Sequence, residues 1–419
     1  MEEWKTYKLG ELCNIHRGAS PRPIQKYLAD HGQPWVKISD ATSDPSRFLS
    51  ETKEFIIPEG IRHSVIVEPG TLIVSNSATP GLPKIMKINA CVHDGWLIID
   101  KISDLVLKEY LYYSFIVIRK ELANQANGSI FQNLKTEIVR NFEINVPSIE
   151  TQKRIVNILS AIEDKIDLNN RINHNLEEQA QALYKSWFVD FEPFKGGKFV
   201  ESELGMIPEG WRVGRIADIV ADTYNGDWGK EELTGTYTKR VYCIRGADIP
   251  YLRVGSSGKM PIRFIQDKHF LSKFLRDGDI VVEISGGSPT QSTGRYCRIS
   301  ESLVERYGNS LICTNFCKAV RPLEGYSYFL SLLWDHLYDC GVLFSYENGT
   351  TGIKNLDLAG IIAGEPIVIP SFDIVQSFSQ MVSSLSQKVL FNGYENERLA
   401  EQRDTLLPKL MSGTINLTC

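Results

Sequence analysis

The stretch Pro147–Trp187 reads PSIETQKRIVNILSAIEDKIDLNNRINHNLEEQAQALYKSW, with no Pro or Gly after its first residue. At ~1.5 Å rise per residue, about 40 helical residues span roughly 60 Å, a rod rather than an ordinary globular helix. Its apolar residues repeat every seven positions. Ile155, Ile162, Leu176 and Leu183 fall on one seam, and Leu159, Ile166, Ala180 and Trp187 on the other. Asn169 and Asn173 interrupt the two seams near the middle. A heptad sustained over this length predicts a helix packed along a partner helix.

The partner lies in the same chain. An offset of 223 carries Pro147 to Pro370, and the two asparagines to Asn392 and Asn396. It places Phe378, Leu385, Leu399 and Leu406 on one seam, with Val382, Val389, Arg403 and Leu410 on the other. An ungapped correspondence of prolines and asparagines reads as a duplication. Antiparallel pairing of the two helices brings the four asparagines into one polar layer, where buried Asn fixes register at some cost in stability. Gly393 weakens the second rod and leaves open two ordinary amphipathic helices in separate cores.

The remaining segments repeat as well. In residues 1–146 short apolar runs alternate with turn residues: Trp35–Ile38, Glu54–Ile57, Thr71–Val74 and Trp96–Ile99. A helical stretch, Glu109–Ala126, follows, then the turn Asn127-Gly128-Ser129. At an offset near 208, Trp4, Leu9, Lys37 and Asp40 find Trp211, Ile216, Arg245 and Asp248, and Gly70–Val74 finds Gly278–Val282. The offset later drifts, yet Asn127-Gly128-Ser129 still finds Asn348-Gly349-Thr350. The expected organisation is a globular domain at 1–146, a long helix at 147–190 and a linker at 191–210. A second globular domain at 211–370 and a second long helix at 371–412 complete it. The fold class is α+β (mixed α/β): two globular domains separated by two long antiparallel coiled-coil helices, a pseudo-twofold internal repeat. Frame residues recur while the intervening loops differ, which predicts two sites of one kind that read different things.

Composition is ordinary for a globular protein, with 42% hydrophobic and 23% charged residues. No apolar run reaches the ~18 residues of a membrane span, and the start MEEWKTYKLGEL lacks a leader pattern, so a cytoplasmic protein with no membrane partner is expected. The eight cysteines are scattered; Cys313 and Cys317 have ligand-like spacing without a second pair, so no metal is expected. A net charge of −5 lacks the basic footprint of a nucleic-acid protein. Locally the balance is even: residues 1–147 carry 17 Lys and Arg against 17 Asp and Glu, and 208–370 carry 18 against 19. Tight hold on DNA would need help from a partner.

No catalytic motif is present. The chain has no Pro-Pro dipeptide, no G-x-x-x-x-G-K-[ST] loop, no H-E-x-x-H and no G-x-S-x-G. Asp279 and Glu283 resemble the start of a nuclease carboxylate pair, but Ser285 stands where such sites want Lys. What remains is a set of polar and basic loop residues whose donors match base edges and phosphates. In the first domain these are Arg17, Ser20, Arg22, Lys37, Ser75, Ser77, Thr79, Lys84, Gln132 and Asn133. In the second they are Arg245, Arg253, Lys259, Arg263, Thr290, Gln291, Thr293, Arg295, Lys354 and Asn355. For Lys37 and Arg245, a structural salt bridge to Asp40 or Asp248 explains the residue as well as DNA does.

The chain resembles the specificity subunits of Type I restriction-modification systems over nearly its whole length. The resemblance rests on VPSIETQKRIVNILSAIEDKI (146–166), ALYKSWFVDFEPF (182–194) and SELGMIPEGW (202–211); IPSFDIVQSFSQMV (369–382) matches more loosely. It implies two target-recognition domains, each reading one half of a bipartite site in double-stranded DNA, with the paired helices as a ruler. It further implies two methyltransferase subunits carrying S-adenosylmethionine, and restriction subunits using ATP and Mg where they are present. No cofactor is expected on this chain, because the chemistry lies on the partners. A two-module adaptor for non-DNA partners is the competing reading, and it does not account for the linker sequence.

Overall fold

The structure, a computed structural model, describes residues 4–126, 133–286, 291–349, 354–415 and 417. It divides into two compact units, Met1–Asp167 with Arg398–Cys419, and Leu168–Glu397.

Unit 1 is built on two five-stranded sheets. In one, the order runs Asn14–Arg17, Trp96–Asp100, Leu72–Ser75, Pro83–Met86, Phe48–Leu49. Leu72–Ser75 and Pro83–Met86 are buried along their whole length, which is why Leu72-Ile73-Val74 reads as a continuous apolar run rather than an alternating one. Helix Lys108–Ala126 covers this sheet, with Tyr110, Leu111, Phe115 and Leu122 packed against Leu72, Val74 and Ile85. Lys5–Lys8 pairs antiparallel with Glu143–Val146 and delivers the chain through Pro147 into the first long helix, Ile149–Phe188. Within this unit Ile155 and Leu159 share a core with Leu407, Leu410 and Met411 from the end of the second long helix, Phe372–Met411.

Unit 2 repeats the frame with different fillings. Arg212–Arg215 pairs with Pro366–Ile369 as Lys5–Lys8 does with Glu143–Val146. In each copy a carboxylate caps a short helix: Asp40 accepts from the Lys37 N–H (2.8 Å) and Asp248 from the Arg245 N–H (3.0 Å). Gly70 and Gly278 occupy the same turn, at φ 90° and 86°, a region open to glycine but costly for other residues. The core of unit 2 joins Phe329, Trp334, Phe378 and Val382 to Tyr184 and Phe188 of the first long helix. Between Phe188 and Trp211 the breakers form no bare linker: Phe199–Ser202 and Gly205–Pro208 pair as a hairpin.

The strict heptad needs correcting at the helix ends. Tyr184 and Phe188 are buried, whereas Leu183 and Trp187 are only half-buried. A straight α-helix drifts against a seven-residue repeat, and here the last turns pack on a domain core, where the Phe188 ring lies 4.9 Å from Phe329 and 4.7 Å from Phe378. In unit 1, Glu163 is buried between half-buried Ile162 and Ile166, and Leu407 lies deeper than Leu406. Leu176, Leu385 and Leu399 are half-buried, while Val382 and Val389 are fully covered.

Candidate nucleic-acid interface and the asparagine layer

Within unit 2 the four asparagines meet. Asn169 Nδ2 donates to Asn396 Oδ1 (2.8 Å) and to Glu395 (2.7 Å). Asn392 Nδ2 donates to Asn173 Oδ1 (2.8 Å), and Asn173 Nδ2 to the Val389 carbonyl (3.1 Å). Asn169 and Asn392 are fully buried, so a register slip would strand their amides away from partners.

In unit 1 the loop candidates converge on Asp94, which the sequence reading missed. The Val92–Trp96 turn brings it there: Gly18 donates to the Trp96 carbonyl at 2.9 Å, and a Cβ on Gly18 would meet the His93 carbonyl at 2.3 Å. This close approach sets Arg17, Ser20 and Arg22 around the turn. Ser20 Oγ and Arg22 Nη2 donate to the Asp94 carboxylate (2.6 and 2.9 Å); Arg17 and Asn76 donate to its carbonyl, each at 3.1 Å. Burial alone would raise the Asp94 pKa, but the Ser20 and Arg22 hydrogen bonds outweigh it and hold the carboxyl below its ordinary range. Leu134 N–H donates to Asn76 O (2.7 Å), which brings exposed Asn133 to the same edge. Asn76 Oδ1 and Thr79 Oγ1 are buried without a partner, and Ser77 is half-buried beside them. The outcome is a face of exposed guanidinium and amide donors around one ionised carboxylate, able to pair with base edges and phosphates.

Other candidates hold the scaffold instead. Lys84 is buried, donates to the carbonyls of Asp44 (2.6 Å) and Ser46, and its pKa is lowered by burial. Ser75 is fully buried and closes the turn to Leu82. Lys37 pairs with Glu54 rather than with Asp40. Gln132 lies outside the described residues, as do Thr290 and the Asn127-Gly128-Ser129 and Thr350 parts of the repeated turn.

In unit 2 most candidate cations are already paired. Arg245 forks onto Asp248 (2.9 and 3.0 Å) and Arg253 onto Asp335 (2.8 and 3.1 Å). Arg295 forks onto Glu283 (2.8 Å twice) and Lys354 pairs with Glu347 (3.0 Å). Thr293 is buried on the same Glu347. Arg263 pairs with Glu231 (2.8 Å) and stacks on Trp228 (3.9 Å). Lys259, Gln291 and Asn355 are exposed. Sequence reading confined to loops missed a neighbouring basic and aromatic surface on the sheet of Ile262–Ile265, Lys239–Ile244 and Leu311–Cys313. There Lys239 lies over Phe270 (4.5 Å) and exposed Arg240 over Tyr242 (4.9 Å), while Lys230 faces Tyr237 (5.7 Å). Cations backed by aromatic faces suit nucleic acid, and the alternation of Lys239-Arg240 with Val241 in a strand was the available signal.

The nuclease-like carboxylates are also committed: Asp279 accepts a bidentate pair from Arg321 (2.8 Å twice), and Glu283 holds Arg295. Among the described residues no three His, Cys, Asp or Glu side chains converge as a metal site. Cys313 and Cys317 are both buried, and burial pushes the Cys317 thiol up to about 12. Among the described residues no helix is long and apolar enough to cross a membrane.

Residues 1–178 match the family described as Type I restriction modification DNA specificity domain. The chain is 28% identical to the Type I restriction enzyme MjaIX specificity subunit of Methanocaldococcus jannaschii, over 99% of this chain and 94% of that one. It is 26% identical to the HindI specificity subunit of Haemophilus influenzae, over 99% and 100%. The crystal structure of a Type I restriction-modification S subunit from M. genitalium has a similar fold. Its TM-score is 0.55 at 14% identity, covering 98% of this chain and 96% of that one.

Proposed function

We propose that this chain, whose residues 1–178 match the Type I restriction modification DNA specificity domain, reads a bipartite double-stranded DNA target and leaves the chemistry to partner subunits. The single observation that carries this reading is the duplicated frame with divergent faces. The same caps, turns and strand pairings recur in both units, while the exposed donors differ: Arg17, Arg22 and Asn133 in one, Lys230, Arg240 and Lys259 in the other. Donors of these kinds distinguish bases in the major groove and engage phosphate.

In this reading the asparagine layer fixes the register of the helix pair, and register sets the separation of the two half-sites. Half-sites read from one face of B-DNA lie about a helical turn apart, ~10 bp and ~34 Å. Two methyltransferase subunits supply S-adenosylmethionine and flip the target adenine; restriction subunits, where the system cleaves, supply ATP and Mg chemistry. The near-even charge of each half fits a chain that shares phosphate binding with its partners. Binding of duplexes by the chain with and without a co-expressed methyltransferase subunit tests the reading. Sequence-specific retention that sharpens with the partner is expected; retention of no DNA in either state would refute it.

A further inference from the structure

Gly393 sits in mid-helix, where glycine costs roughly 1 kcal/mol against alanine, and unit 2 shows what occupies the space. A Cβ on Gly393 would lie 1.6 Å from the Val254 carbonyl oxygen, and one on Gly255 would lie 2.2 Å from the Leu390 carbonyl oxygen. Gly255 also has φ +84°. The backbone of the Val254–Ser257 loop therefore lies directly on the backbone of the second long helix. One turn further on, Glu397 accepts from Ser257 Oγ (2.6 Å) and from Arg306 Nη2 (2.6 Å), and Arg306 stacks over Tyr394 (4.6 Å).

The same two turns hold the register layer. Asn392 and Asn396 face Asn173 and Asn169, while their neighbours Gly393 and Glu397 face the loop. Lys259, an exposed candidate reader, lies two residues beyond Ser257. In unit 1 the corresponding loop is seated by charge instead. Arg47 reaches Asp164 (2.6 Å), Glu163 (3.3 Å) and the Ser160 carbonyl (3.3 Å), and Ser46 donates to Asp167 (2.9 Å). An offset of 208 carries Asp44–Arg47 onto Leu252–Gly255. Each copy thus seats the same loop on a long helix, by different chemistry.

We propose that Gly393 and Glu397 are positioning residues: they lock the second reading face to the register layer and so set which half-site spacing is accepted. This rests on reading the chain as a two-site DNA reader. Relieving the Gly393→Ala clash needs a shift of about 2 Å to reach ordinary contact distance, less than the 3.4 Å step of one base pair. The expected effect is looser spacing, not a new spacing. Gly393 and Glu397 are engaged by the Val254–Ser257 loop and Arg306, so the bases read should stay the same.

The test uses the chain in complex with its methyltransferase subunit and a duplex library in which both half-sites are held and the spacer is varied by one base pair at a time. The ratio of methylation at the preferred spacer to that one base pair longer or shorter does not depend on how much protein is folded. For Gly393→Ala and Glu397→Gln that ratio should fall about tenfold, the size of one lost charged hydrogen bond, with both half-sites unchanged. If Gly393→Ala does not assemble, Glu397→Gln and Ser257→Ala, which add no volume, decide. Wild-type spacer discrimination in the variants, or altered second half-site bases at unaltered spacing, would overturn the proposal. A wild-type complex indifferent to spacing would instead refute the two-site reading on which it rests.

Discussion

Replacing Asn392 by Leu removes the donor to Asn173 Oδ1 and leaves that oxygen buried, since Asn173 is only 5% exposed and its own Nδ2 is committed to the Val389 carbonyl. A buried acceptor stripped of its donor costs about 1–3 kcal/mol, whereas replacing both partners by apolar groups of similar shape is close to neutral. Asn392 Oδ1 is buried without a partner in the native chain, so its removal offsets part of the loss. The single variants Asn392→Leu and Asn173→Leu should each lose about 2 kcal/mol, and the double variant should recover most of it. The resulting coupling is about 3 kcal/mol, well above the additive limit of about 0.5. Urea unfolding of the four proteins, followed by tryptophan fluorescence, reads the cycle. Additive losses within that limit would refute the claim that these two amides form one unit of the register layer. The double variant should nevertheless lose spacer discrimination in methylation assays, because stability regained by Leu does not restore register.

Deleting one heptad from each long helix in register removes ~10 Å of helix, so the preferred spacer should shorten by about 3 bp with both half-sites unchanged; the same spacer in a methylation assay would contradict the ruler. Arg22→Ala should weaken discrimination at one base of the first half-site by about 1–3 kcal/mol and leave the second alone, and Arg240→Ala should do the converse; competition binding with half-site variants separates them. Acid should act on the two units differently. In unit 2, burial favours neutral Asp227, Asp248, Glu347 and Glu397, but hydrogen bonds and cations outweigh it and depress all four. Depressed carboxylates contribute stability that is full above the ordinary carboxylate range and is lost as pH falls through their folded values. In unit 1, Asp94 is depressed likewise, but burial raises Glu163, so the Glu163 proton is held more tightly when folded and part of the loss is regained as pH falls toward the ordinary value. Unfolding followed between pH 7 and pH 3 should show unit 2 weakening first at the acid end; Glu397→Gln should blunt that loss.

The long helices were legible because a seven-residue repeat without Pro or Gly has few other readings, and Asn169 and Asn173 marked the twin through Asn392 and Asn396. The strand runs at Leu72–Val74 and Trp96–Ile99 were legible for a related reason, since buried strand stretches are apolar throughout. The availability of single cations was not. Arg295 finds Glu283 twelve positions away, while Arg253 finds Asp335 eighty-two away, and nothing local in the sequence announces such partners. Asp94 was missed because its donors come from two segments far from it in sequence, 17–22 and Asn76. Gly393, read as a flaw in the second helix, is the seat of a loop. Helix-end burial of Tyr184 and Phe188 escaped the heptad because it is set by the domain core, not by the facing helix.

The most direct measurement of the central claim is to exchange residues 15–135 for those of a relative and to map methylated adenines across a host genome carrying the complete system. A bipartite motif in which one half changes while the other half and the spacer persist is the predicted result. A change in both halves, or an unbroken motif, would contradict two independent readers on one register-locked helix pair.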